Sequence, residues 1–102
     1  MIQLKSGHLI FDHKLIKDVF SEEDQVNHVY YPERKSFLIA PASKTFFKKM
    51  HETKWSNLKL KNLQGDKSLF IRDLIIDHEI NDEDRGLTYD LKKTGFIEIE
   101  LY

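Results

Sequence analysis

The side chains able to do chemistry in this chain are five histidines, at 8, 13, 28, 51 and 78, and a run of carboxylates over Asp77, Glu79, Asp82, Glu83 and Asp84. A zinc site wants paired His at helical spacing or Cys ligands. No H-x-x-x-H or H-E-x-x-H pair occurs, and there is no Cys. The adjacent pairs Asp12-His13 and Asp77-His78 do not make a triad, whose members meet in space and not along the chain. Counted from Asp77 as a calcium loop, the sixth position holds Asp82 where Gly is needed. The twelfth holds Thr88 where a bidentate Glu is needed. With four Gly in all and no G-x-S-x-G or P-loop, nothing cradles a phosphate or builds a nucleophile elbow. The expectation is a protein that binds rather than catalyses, with no metal, no cofactor and no small-molecule substrate.

Cations are the second chemical resource. Residues 44–61 hold Lys44, Lys48, Lys49, Lys54, Lys59 and Lys61 against Glu52 alone, a balance of +5, whereas residues 62–102 carry −5. Lysines near His51 and Trp55 could serve single-stranded nucleic acid. The plainer reading makes them the wet side of a helix and the charged alternate positions of an edge strand. Opposite-signed segments also suit pairing between subunits.

Elements to position these residues follow from an internal repeat. Phe11, Leu15, Ile16, Asp18, Tyr30 and Phe37 recur as Phe70, Leu74, Ile75, Asp77, Tyr89 and Phe96, each 59 positions later. Each half opens on an apolar run, Leu9-Ile10-Phe11 or Leu69-Phe70-Ile71, of strand length. A short helix follows; in the first half Leu15, Ile16, Val19 and Phe20 share its inner face. Next come a polar break (21–24 or 81–86), a strand alternating Val26, His28 and Tyr30 or Leu87, Tyr89 and Leu91, a turn, and a last strand. In that last strand of half two, Ile97, Ile99 and Leu101 alternate with Glu98 and Glu100, the period of a half-buried strand. Between the halves, Ser43 should cap a helix from about Lys44 to Thr53 with Phe46, Phe47 and Met50 inward. A strand over Leu58–Leu63 should follow. One domain over 1–102 is expected, with half-repeats at about 5–43 and 64–102 and a linking helix and strand at 44–63.

Composition agrees with one small folded unit. Of 102 residues, 40% are hydrophobic and 32% charged, enough apolar material for a core. The absence of Cys favours a reducing, cytoplasmic setting. The segment MIQLKSGHLIF lacks the charged-then-apolar layout of a signal peptide, and no apolar run reaches the ~20 residues of a membrane span.

The order strand, short helix, acidic break, strand, turn, strand-then-Pro resembles the swapped-hairpin module of AbrB-type proteins. Two such modules in one chain resemble the MraZ family. GHLIFDHKLIKDVF is similar to that family's Gly-started apolar strand and helix. DQVNHVYYPERKSFLIAP is similar to its "D-x-V…L-x-L-x-P" stretch, FFKKM sits where its linking helix lies, and GDKSLFIRDLII with GFIEIEL repeats the theme. The resemblance implies a mainly β fold with short helices (α+β), a swapped-hairpin barrel with an internal pseudo-two-fold. It also implies a homo-oligomeric, cytoplasmic regulator that binds double-stranded DNA. The DNA face it implies would use Lys5, His8, Lys14, Lys17, Lys67 and Arg72. Where the family carries Asp-x-x-x-Arg in each half, this chain has Lys5-Ser6-Gly7-His8 and Gly65-Asp66-Lys67-Ser68. Mostly lysines are therefore on offer, which suit phosphate better than bidentate base contacts. A protein-interaction or assembly module on the same fold, without DNA binding, remains the alternative.

Overall fold

The computed structural model describes residues 1–21 and 23–101; Glu22 of the acidic break and Tyr102 lie outside the described residues. Among the described residues, ten strands and three short helices make a mainly β molecule. A hairpin opens the chain: β1 (Ile2–Lys5) and β2 (His8–Phe11) are joined by Ser6 and Gly7 alone. Both turn residues have positive φ, 49° and 78°, the mirror-image turn whose twist matches that of paired strands. A side chain at Gly7 would also come within 3.3 Å of the Arg72 Cβ.

The helix α1 starts as one turn, His13–Leu15, and widens into a π turn over Ile16–Phe20. Strands β3 (Gln25–Tyr31) and β4 (Ser36–Pro41) complete the first half. Helix α2 (Thr45–Met50), β5 (Lys54–Asn57) and β6 (Lys59–Leu60) lead to the second. There β7 (Lys67–Phe70), α3 (Arg72–Asp77), β8 (Arg85–Leu87), β9 (Tyr89–Leu91) and β10 (Ile97–Glu100) follow.

Antiparallel ladders assemble two five-stranded sheets. Sheet A has the order β6-β7-β2-β1-β8 and sheet B the order β5-β3-β4-β10-β9. Each sheet therefore mixes strands of both halves. In sheet A, β2 meets β7, with His8 opposite Phe70 and Phe11 opposite Lys67. Sheet B does the same with β4 and β10, Ile39 facing Ile97 and Leu38 facing Glu98. In these two ladders the correspondence that keeps side chains on one face is 60 residues and not the expected 59: Leu9 and Leu69, Phe37 and Ile97, and Ile39 and Ile99 all point inward, whereas Phe11 is buried and Phe70 is exposed. The edge strands of the two sheets are successive in the chain: β5 passes to β6 through Leu58, and β8 to β9 through Thr88.

Inward-facing residues of both sheets form one core around Phe11, Phe20, Phe37, Leu4, Leu9, Ile39, Ile97 and Ile99. Their burial is the main stabilising contribution to a domain of this size. A second, smaller cluster of Leu38, Ala40 and Phe47 lies on the other side of β4, where α2 covers sheet B. Among the described residues, no helix is long and apolar enough to cross a membrane.

The link between the halves differs from the expectation. Ser43 is no helix cap: its hydroxyl donates to Glu23 Oε2 at 2.8 Å and its N–H to Oε1 at 2.9 Å. The helix spans six residues, and only Phe47 is buried. Phe46 and Met50, one turn apart, face solvent at 62% and 61% exposure, because so short a helix meets the sheet along a single residue row. The strand expected over 58–63 keeps only Lys59 and Leu60. Leu58 is buried at the bend between sheets. Beyond Lys61, Asn62 Oδ1 accepts the N–H groups of Gln64 and Asp66 and turns the chain. Strands β1 and β5 add to the elements that the sequence predicts.

Candidate nucleic-acid interface

Sheet B is covered on its outer side by α2; among the described residues no such apolar cluster forms on the outer side of sheet A, where Ile10 is buried outside both core clusters. The outer face of sheet A follows from strand parity. Ile2, Leu4, Leu9, Phe11 and Leu69 are buried inward. Their neighbours Gln3, Lys5, His8, Ile10, Ser68 and Phe70 therefore point out. The ladders set Lys5, His8 and Phe70 in one row across the sheet. Gln3, Ile10, Ser68 and Lys59 form the next. Lys5, His8, Ile10, Ser68 and Lys61 surround a shallow depression of about 270 Å³.

Strands β1, β2, β6 and β7 contain no Asp or Glu. Cations there meet no opposing charge within their own sheet positions. His8 is oriented by a 3.0 Å contact of Nδ1 with the Ser6 carbonyl, which receives the ring N–H. Its ring lies 4.9 Å from that of Phe70, which is 57% exposed. Carboxylates occupy only the margins and are already engaged. Asp84 Oδ1 accepts the Ser6 N–H at 3.0 Å. Asp12 Oδ1 accepts the Leu15 N–H at 2.9 Å, and the Met1 amine lies 2.7 Å from its Oδ2. Burial pushes the Asp12 carboxyl upward, but those two partners outweigh it and leave its pKa below the usual value. Asp66 is also held low, chiefly by the Asn62 amide and then, against a smaller opposing effect of burial, by the His13 N–H.

Of the six residues expected on a DNA face, Lys5 and His8 share this outer surface. Exposed Arg72 adjoins it, its Cβ beside Gly7 in the β1–β2 turn. Lys17 and Lys67 instead line a second groove with His13, next to Gly65. Lys67 is mostly buried and ion-paired with Asp24, so its charge is spent within the fold. Lys14 is exposed on α1, between His13 and Lys17 in the chain, and does not itself line that groove. The six thus form no single surface. No family model, no curated protein and no solved structure matches the chain.

Gln3, Lys59, Lys61 and Phe70 also contribute to the outer face, and the sequence alone does not assign them to it. The alternation of Lys59 and Lys61 is visible there, but not that Lys59 pairs with Ser68 of β7. Among the described residues no group of three or more His, Asp or Glu could hold a metal ion.

Proposed function

We propose that the chain is a non-enzymatic, regulator-like protein that docks double-stranded DNA on the outer face of sheet A. In this reading it is a swapped-hairpin barrel of the AbrB/MraZ kind, with both hairpin modules in one chain. It works in the cytoplasm as a homo-oligomer. The observation that carries the reading is a surface of four strands without a carboxylate among them, bearing Lys5, His8 and Lys59, with Lys61 just beyond β6. The interleaving of halves across both sheets, with the chain turning from one sheet to the other at Leu58 and Thr88, supports the barrel.

The mechanism is electrostatic. Ammonium groups at the β1 and β6 sides of the sheet, with β2 and β7 between them, meet phosphates and release condensed counterions, while Gln3 and the His8–Phe70 pair supply a polar and a flat apolar contact. With Lys5, Lys59, Lys61 and the adjoining Arg72 engaged, the log–log salt slope should be roughly −3 to −4. Fluorescence anisotropy of a mixed-sequence duplex, titrated at low and near-physiological salt, measures it. Lys5→Glu with Lys61→Glu should weaken binding by at least ~10-fold, since two cations that meet phosphate become anions that repel it. Lys14→Glu with Lys17→Glu should change it far less. Equal sensitivity of the two double variants would remove sheet A from the interface.

A specific observation favours the assembly reading as second choice. Phe46, Met50 and Trp55 are all more than half exposed on or just beyond α2, beside Lys48 and Lys49, an amphipathic surface of the sort that subunits cover. Absence of DNA binding at low salt, together with a mass that rises with concentration, selects that reading.

A further inference from the structure

A cleft of about 330 Å³ opens between α3 and strands β3 and β5 and meets the outer face of sheet A at Phe70. Phe37, Tyr30, Ile71 and Leu74 supply apolar and aromatic lining. His28 sits among them, its ring 5.3 Å from that of Phe37 and nearly parallel, with Nε2 2.8 Å from the Ser56 hydroxyl. Asp73 and Asp77 lie one turn apart on α3 and line the same opening as Glu52. Lys54 is the one permanently cationic side chain on the lining, so carboxylates outnumber it three to one. Among the described residues neither Asp73 nor Asp77 is ion-paired.

The cleft is a departure from the molecule's own two-fold. In the first half the helix ends at Phe20, followed by Ser21 with φ of 48°. In the second half, Glu79 has φ of 53° and the residue before it is His78. Phe20 is wholly buried and plugs its end of the core, whereas His78 is exposed and leans on Tyr30 with ring centroids 4.8 Å apart. The space that an apolar side chain fills on one side stays open on the other.

We propose that this cleft binds a free small organic cation, an ammonium or guanidinium group on an apolar stem. The carboxylates attract the charge, the aromatic faces accept it, and the apolar walls take the stem. At the ~30 Å³ that a water occupies in the liquid, the cleft holds roughly ten non-hydrogen atoms. That is the size of an arylalkylamine. The site is independent of DNA docking and shares with that face only Phe70.

The test uses amide chemical shifts of the full chain titrated with 2-phenylethylamine, and separately with phenylacetate, which has the same ring and the opposite charge. The amine should give saturable shifts at Ile71, Leu74, His78 and along His28–Tyr30, and phenylacetate should give none. Asp73→Asn with Asp77→Asn should raise the amine's Kd at least ~10-fold, the effect of removing two charges near the cation. Leu74→Trp should abolish binding by filling the cleft. Lack of saturable shifts, equal binding of the anion, or undiminished affinity in the Asp variant overturns the proposal. Asp73 and Asp77 are exposed, so their variant keeps the fold and decides the matter even if Leu74→Trp does not fold.

Discussion

The two ends of the core that the pseudo-two-fold relates have been finished differently. At the α1 end, Leu15, Ile16 and Phe20 are all buried, and the Phe20 ring meets Phe11 edge-on with centroids 5.8 Å apart. Within α3 itself only Ile75 is buried, while Ile76 is 63% exposed. The π turn explains part of the contrast. It takes up one extra residue before the left-handed position, and that residue is Phe20, brought round onto the core. The first end is built for stability. The second gives up packing and gains an accessible, polar-lined opening, as sites of binding often do.

Truncation breaks the comparison most sharply. Phe20→Ala should destabilise the protein by about 3–5 kcal/mol, the usual cost of emptying an aromatic core position. The matching His78→Ala should stay within about 0.5 kcal/mol, as surface changes do. Urea unfolding of both variants gives the two figures; similar losses would mean the ends carry equal load.

Acid sharpens the contrast between His28 and Leu87, which stand 59 positions apart. Burial, helped by the charge of Lys54, lowers the His28 pKa from 6.5 to about 4. Above pH 6.5 the imidazole is neutral in folded and unfolded chains alike. Between 6.5 and 4 the unfolded chain takes up the proton first, so stability falls as pH falls and levels off below about 4. The loss assignable to this residue is on the order of 3 kcal/mol. His28→Leu should remove that part of the slope in unfolding curves recorded from pH 7 to 4, and an unchanged slope would contradict the assignment.

Smallest is the capping difference. Asp12 Oδ1 accepts the Leu15 N–H, whereas Ile71 at the start of α3 offers no side-chain cap. Asp12→Ala should cost about 1 kcal/mol by thermal unfolding, with α1 and not α3 losing amide protection. Protection lost equally from both helices would count against a local cap.

Much of this architecture is legible in the sequence, and the reason is local. Runs such as Leu9-Ile10-Phe11 and Phe37–Ala40, and the alternation of Ile97, Ile99 and Leu101, record burial residue by residue. The 59-residue offset holds at Tyr30 and Tyr89, which both pack on the main core, but not at Phe11 and Phe70 or Phe37 and Phe96, where identical side chains face different ways because a one-residue shift in a strand reverses its faces. Lys54-Trp55-Ser56-Asn57 gives no strand signal because an edge strand pairing with β3 alone needs no apolar period. Phe46 and Met50 mislead because three apolar residues on a short helix do not say which one meets the sheet. Of the candidate interface, Lys5 and His8 can be placed together because they pair across one tight turn. Lys67 cannot be set aside from sequence, since its partner Asp24 lies 43 residues away.

The short edge strands bear on how copies of this chain can associate. Both sheets end in strands of only two to four residues, β6 and β8 on one and β5 and β9 on the other. At about 3.3 Å per residue, none offers more than ~13 Å of unpaired backbone to a neighbour. Lys54, Lys59, Arg85 and Asp90 place a charge on each of these four edges. Recruitment of another chain by strand addition, the route to cross-β aggregates, finds little template here. Side-chain surfaces, and not open backbone, are left to govern self-association.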